Sequence, residues 1–347
     1  MDDFHDALVT PGTPGLPDRF FDRFMFNLHP TDATAPSVIL GAGVYPPVDV
    51  LDGFVVLTTE REQRNHRFST ELSATDGASA GPLAWEVVEP MQTWRLRLAP
   101  NPTGLELDVT WRARTPAWWG EVGVQDTASF THLFQSGFYE GKLSIDGAAR
   151  EIAGWYGQRD RSRGVRSMSG GQGLHIWFQA QFEDRAVGFI LVETREHERL
   201  FLEGAVMHAD GKLDTIVDAG HDLVFDDLDL VSGRVTVVTE SGATYEIDAD
   251  ARAGGGYMAG GGYGGHHGRP RGRDQAEHDV YPLDGSVSPR TLDSSLTDRL
   301  TRFTWDGRAG LGIFEFALTR SRSYTYTPTG GGRRWQTAST ASPRSSE

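Results

Sequence analysis

Leu105-Glu106-Leu107-Asp108-Val109-Thr110-Trp111-Arg112-Ala113 alternates apolar and polar side chains without a break. A strand sends successive side chains to opposite faces, so a period of two marks a half-buried β-strand. Related apolar runs recur at Gly53–Thr58, Ala84–Val88, Thr93–Leu98, Phe130–Ser136, Phe138–Ile145, Leu174–Gln181, Val187–Val192, Leu200–Val206, Leu213–Val217, Gly233–Thr239, Thr244–Asp248 and Gly312–Arg320. Turn signals separate them at short spacing. Asp146-Gly147, Asp210-Gly211 and Ser241-Gly242 each lie between two such runs, where Gly supplies the positive φ of a tight hairpin turn. Sustained helical periodicity is absent, and many short antiparallel strands imply barrels or sandwiches. The expected class is all-β.

The chain has 347 residues, more than twice the commonest domain size, so two domains are expected. Eighteen Phe, nine Trp and nine Tyr offer ample surface for a core, which excludes wholesale disorder. Lys and Arg number 33 against 48 Asp and Glu, for a net charge of −15, and such a surface repels phosphate backbones and anionic lipid. Nucleic acid is therefore excluded as a partner. With no cysteine there is no disulfide, thiolate nucleophile or cysteine-ligated metal. Lys142 and Lys212 are the only lysines, which leaves little room for Schiff-base chemistry. Met1-Asp2-Asp3-Phe4-His5 is acidic where a signal peptide is basic, and no apolar run reaches the length of a membrane span. The expectation is a soluble, cytoplasmic protein without an integral membrane segment.

A seam is expected near Val165–Gly173, where Ser167-Met168-Ser169-Gly170-Gly171 interrupts the strands, giving an N-terminal domain over 1–165 and a C-terminal domain over 166–328. The first thirty residues mix Pro with Phe20, Phe21, Phe24 and Phe26 and are expected to wrap the surface. Residues 253–274 are so rich in Gly that they read as a flexible loop inserted in the second half, and 329–347 read as a disordered tail.

Two segments carry chemistry. In Gly154-Trp155-Tyr156-Gly157-Gln158-Arg159-Asp160-Arg161-Ser162-Arg163-Gly164, an extended backbone puts Gln158, Asp160 and Ser162 on one face and Arg159, Arg161 and Arg163 on the other. The carboxylate then points inward and the guanidiniums outward, which makes Asp160 a candidate acid; the competing reading is an Arg–Asp network joining two domains. Upstream, residues 129–147 read as a hairpin whose first strand carries His132, Phe134 and Ser136 on one face, placing an imidazole beside an aromatic ring.

His132-x-Phe134, then Gly141-x-Leu143-x-Ile145-Asp146-Gly147, then Gly154 and Gln158-Arg159-Asp160-Arg161-Ser162-Arg163-Gly164 follow an order and spacing that resembles the carotenoid 1,2-hydratase (hydroxyneurosporene synthase)/AttH-like superfamily. The resemblance implies two lipocalin-like β-barrel domains in tandem, and relatives that are hydratases or cyclases of terpenoid and polyketide-derived chains. It implies that Asp160 matches an aspartic acid that protonates an alkene, that His132 matches the motif histidine, that Phe134 stands in place of a Trp, and that Gln158 stands in place of a Tyr. Arg159 and Arg161 replace His residues of that pattern, and Arg163 replaces a Trp.

Trp111, Trp118 and Trp119 read as core or rim residues that are also candidates to line an apolar ligand cavity and shield a cation, and Glu315 is the best acidic candidate of the second half. His266-His267 lacks partners at a metal-binding spacing, and Gly260-x-Gly262-x-x-Gly265 follows no βα unit, so neither a metal nor a cofactor is expected. The expected function is proton transfer to a C=C bond of an isoprenoid or polyketide-like substrate, ending in hydration or cyclisation. Two alternatives remain: a non-catalytic carrier of hydrophobic small molecules, and a cyclase that works by folding a polyene without proton transfer.

Overall fold

A computed structural model describes residues 8–319 apart from 33, 35, 125–127 and 167–171, together with 334–336. The strands of the first half are β1 (Phe20–Leu28), β2 (Ser37–Tyr45), β3 (Val50–Thr58), β4 (Glu62–Glu71), β5 (Ser79–Ala80), β6 (Leu83–Glu89), β7 (Thr93–Leu98), β8 (Leu105–Ala113), β9 (Trp118–Val124), β10 (Ala128–Ile145) and β11 (Ala148–Arg166). They are followed by β12 (Gln172–Gln181), β13 (Arg185–Thr194), β14 (Arg199–His208), β15 (Leu213–Asp226), β16 (Asp229–Thr239), β17 (Thr244–Tyr257), β18 (Gln275–Pro282), β19 (Thr297–Trp305), β20 (Arg308–Leu318) and β21 (Arg334–Gln336). Among the described residues these form two antiparallel sheets. The first runs β18-β4-β3-β2-β1-β11-β10-β8-β7-β6-β5, with β9 also on β10, and is an open half-barrel. The second runs β14-β13-β12-β20-β19-β17-β16-β15 and closes on itself through β14–β15, with β21 added beside β15. The all-β tandem-barrel expectation holds.

Strand β8 buries Leu105, Leu107, Val109 and Trp111 and exposes the residues between them, as its alternation requires. The first sheet's interior is filled by Phe24, Phe26, Trp94 and Trp111 with Leu and Val neighbours, and the ring's interior by Phe178, Phe189, Phe225, Phe303, Phe314 and Phe316. All three foreseen hairpin turns are used: Asp146-Gly147 joins β10 to β11 with both residues at positive φ, Asp210-Gly211 joins β14 to β15, and Ser241-Gly242 joins β16 to β17.

Three local expectations are corrected. Residues 129–147 are not a hairpin: β10 runs unbroken through Gly137, with a bulge at Tyr139/Glu140, and the hairpin is β10–β11. The first thirty residues do not merely wrap the surface, because β1 is a central strand between β2 and β11. The Gly-rich run is a packed strap. Residues 253–257 continue β17, and the following turns lie against the first sheet before β18 joins β4 as an edge strand of that sheet. Gln63 Nε2 donates to Tyr257 O at 2.8 Å, Tyr257 N donates to Gln63 Oε1 at 2.7 Å, and Arg67 Nη1 donates to Gly260 O at 2.9 Å. A Cβ on Gly260 would sit 2.1 Å from Asn65 Oδ1, so this approach requires glycine. Apart from Arg334–Gln336, the expected tail lies outside the described residues, as does the centre of the expected seam.

The two sheets meet face to face. Met25, Ile39, Phe54 and Val56 of the first pack on Trp177, Ile190, Val192, Leu300, Leu311 and Ile313 of the second, with Met258 of the strap between them. Burying each such side chain stabilises by about 1.5–3 kcal/mol relative to exposure, which is enough to hold the sheets together.

Candidate functional site

Strand pairing lays out one wall of this seam. Strands β1, β11 and β10 lie side by side, and their register forms rows on the face toward the ring: Phe21, Gly164 and Phe130; then Arg23, Ser162 and His132; then Met25, Asp160 and Phe134. Gln158 and Ser136 form the next row. The alternation foreseen for β11 is therefore correct, but Arg159 and Arg161 do not reach solvent, and Arg163 is half-buried. Arg159 and Arg161 are fully buried in the first sheet's interior. The Arg159 guanidinium lies 4.9 Å from the Trp94 ring centre, and Arg161 is held by Asp22 through bonds of 2.8 and 2.9 Å from Nη2 and 3.1 Å from Nε. Arg163 lies against Phe20. Asp160, on the opposite face, is spared these guanidiniums.

His132 is the centre of the wall. Its Nε2 lies 2.5 Å from Asp160 Oδ2, and its Nδ1 lies 3.1 Å from Glu203 Oε1, which reaches across from β14. A ring that donates from both nitrogens is an imidazolium. Burial works against the charge, but Asp160 and then Glu203 outweigh it and raise the pKa from 6.5 to about 10. The small neighbours make this arrangement possible. His132 stands between Ser162 on β11 and Gly120 on β9, and a Cβ on Gly120 would lie 3.0 Å from Glu203 Oε2.

Aromatic rings frame the charged group. Phe134 is fully buried, 5.6 Å from His132 by ring centres, and stacks on Trp118 at 4.9 Å. Phe21 and Phe130 pair at 6.2 Å, with Tyr45 and Phe201 packed on them. Beside them opens a cleft of about 360 Å³ lined by Phe20, Phe21, Arg23, Tyr45, Tyr263 and His267. Arg23 Nη2 donates to Tyr263 Oη at 2.6 Å. Burial opposes the Arg23 charge, while Tyr263, Tyr45, Asp52 and Asp160 favour it and hold the guanidinium charged. Arg23, on the wall of this cleft, shares a row with His132, with Ser162 of β11 between them.

The opposite wall belongs to the ring. Asp298 on β19 faces Glu315 on β20, and Glu315 Oε1 lies 2.8 Å from His175 Nε2 on β12. Asp298 is wholly buried, and among the described residues no N–H or hydroxyl group donates to either of its oxygens. Burial first, then the carboxylates of Glu315 and Asp160, push its pKa well above the usual carboxylate range.

The signature of a family of unknown function (DUF8625) matches residues 9–326. The chain belongs to this family. No curated protein matches the sequence of this DUF8625 chain. Among solved structures it is similar to a protein described as AttH (NE1406) from Nitrosomonas europaea, with a TM-score of 0.58 and 14% identity over 90% of this chain and all of that one. It is also similar to kievitone hydratase from Nectria haematococca, with a TM-score of 0.51 and 10% identity over 90% of this chain and 97% of that one. These likenesses establish the AttH-like fold for the DUF8625 chain, as the motif spacing implied.

Of the residues singled out in the sequence, the structure of the DUF8625 chain brings Asp160, His132 and Phe134 together and puts Glu315 on the facing wall. Gln158 is on the same face as Asp160, 1% exposed, with neither end of its amide bonded among the described residues. Two of the cavity candidates fail. Trp111 is a core residue of the first sheet, in edge contact with Phe26, because its strand position points inward. Trp119 is 55% exposed, and its neighbour Trp118 is the ring that meets Phe134. Sequence reasoning passed over Glu203, Asp298, His175, Arg23 and Tyr263. A lone carboxylate in an apolar strand was the available signal for Glu203, in Leu200-Phe201-Leu202-Glu203-Gly204-Ala205-Val206, just as it was for Glu315. Among the described residues no group of three or more His, Asp and Glu is arranged to hold a metal ion, and no helix is long and apolar enough to cross a membrane.

Proposed function

We propose that the protein is a hydratase or cyclase acting by proton transfer on an apolar, unsaturated small molecule of the isoprenoid or polyketide type, without a cofactor. The observation that carries this reading is His132 set between Asp160 and Glu203, in a row of the sheet face that, through Arg23, borders an aromatic cleft. Asp160 receives the Nε2 proton across 2.5 Å and delivers it to one carbon of a C=C bond, while the π electrons form the new C–H bond. The resulting cation is shielded by Phe134 and Trp118 and by the negative faces of Phe21 and Phe130. Two outcomes follow from one intermediate. Water adds and loses a proton to the neutral His132 ring, or a second C=C bond closes a ring and a neighbouring C–H gives up its proton to that same imidazole. Gln158 and Arg23 offer polar contacts to an oxygen function of the substrate, and Glu203 keeps the ring oriented.

Carriage of a ligand inside a barrel is disfavoured, because aromatic and aliphatic side chains fill both sheet interiors. Incubating the full chain with a panel of apolar polyenes and alkenyl phenols, followed by chromatography, tests the proposal. Product with the wild type, and none with Asp160→Asn or His132→Ala, supports it. A polyene bound and recovered intact by all three proteins would identify a carrier. Turnover indifferent to both substitutions would identify a cyclase that only folds its substrate.

A further inference from the structure

The wall facing Asp160 holds three ionisable side chains that the mechanism above leaves idle. Exposure falls along them: the side chain of His175 is 24% exposed, that of Glu315 is 10%, and Asp298 has none. They are also linked in space. His175 Nε2 meets Glu315 Oε1 at 2.8 Å, and Glu315 stands directly opposite Asp298 across the β19–β20 ladder. On its other flank Asp298 faces Gly256 of β17, which has no side chain to offer a hydrogen bond or a charge. The groups acting on Asp298 are thus two further carboxyls, Glu315 and Asp160, with His175 behind Glu315. Two carboxylates held together away from water cannot both stay ionised, so one proton between them is the low-energy state.

We propose that Asp298 and Glu315 form a carboxyl dyad that holds one proton in common, and that the His175 ring exchanges this proton with solvent. The dyad is a second proton-handling site on the same seam. Its role as a reserve for Asp160 rests on the proton-transfer reading above. In turnovers where the proton lost by the cation passes to water rather than back to His132, the dyad supplies the replacement and becomes doubly ionised, and His175 restores its charge with a proton drawn from water. A purely structural buried pair would have no need of the histidine or of an open end.

Infrared spectroscopy of the full chain tests the dyad without any substrate. At neutral pH the wild type is expected to show the C=O stretch of a neutral carboxyl, retained in Asp160→Asn, lost in Asp298→Asn and shifted in Glu315→Gln, where burial still keeps Asp298 neutral but the proton is no longer shared. On transfer into heavy water the band is expected to shift quickly in the wild type and roughly tenfold more slowly, or less readily still, in His175→Phe, since the imidazole is the shuttle. No neutral-carboxyl band, a band that survives Asp298→Asn, or one unshifted in Glu315→Gln overturns the dyad. An unchanged exchange rate in His175→Phe overturns the route. Should one dyad variant fail to fold, the other and the exchange rate still decide. A protein that shows the band but never protonates an alkene refutes the reading of Asp160 alone.

Discussion

Replacing Asp160 by Asn removes the first of the groups that keep His132 charged while nearly preserving side-chain volume. In the native protein the ring titrates at about 10 rather than 6.5, against the pull of burial. At about 1.4 kcal/mol per pH unit this is roughly 5 kcal/mol of preference for the imidazolium, an order-of-magnitude figure for a ring that is almost wholly buried. Asp160 contributes more to it than Glu203, so in Asp160→Asn the titration midpoint should fall by about two pH units or more. Ring chemical shifts of His132, followed by NMR across the pH range, read the midpoint directly. Stability should follow. Because the folded value lies above the unfolded one, the contribution of His132 is complete below about 6.5 and is lost as pH rises toward about 10. Urea unfolding of the wild type should therefore weaken over that interval more steeply than that of Asp160→Asn. A wild-type ring titrating near its ordinary value, or a midpoint unmoved by the substitution, would refute the clamp.

Asp22→Ala leaves the fully buried Arg161 without its carboxylate and should cost about 3–5 kcal/mol in urea unfolding; a loss near zero would contradict the assigned pairing. In Gly188→Ala the new methyl would lie 2.5 Å from the Phe134 ring and 2.7 Å from Gln179 Oε1, so overpacking at the seam should lower stability by about 1–3 kcal/mol in the same assay, and no change would mean that the seam yields freely. His29 and His266 are both held neutral by burial, with pKa values lowered from 6.5 to about 4. The unfolded rings take up protons first as pH falls, so stability should decline from about 6.5 down to about 4, and His266→Asn should flatten that decline.

The half-exposed strands were legible because they alternate, as β8 and the β16–β17 hairpin do. Two strands covered on both faces were not. Phe20–Leu28 and Ser37–Tyr45 are buried nearly throughout, one face in the sheet's own core and the other against the ring, so their composition carries no period of two. The same geometry explains the misjudged arginines. The β11 alternation could be read from spacing, but which face was the core depended on Asp22 and Trp94, distant in sequence and adjacent only after the sheet forms. Asp160, His132 and Phe134 fell on one strand pair and kept a recognisable spacing. Glu203, Asp298 and His175 come from strands of the other sheet, and nothing local in sequence ties them to Asp160. The Gly-rich strap was misread for a related reason, since its glycines serve close approach to Asn65 and Gln63 rather than flexibility.

The most direct measurement is the fate of solvent hydrogen. With an apolar alkene that the protein converts, turnover in heavy water followed by mass spectrometry and carbon NMR should place one deuterium on the carbon that receives the proton. The label should appear with the wild type and vanish with Asp160→Asn. Product that carries no deuterium on carbon, or equal labelling by the Asp160→Asn protein, would contradict proton transfer from the His132–Asp160 pair.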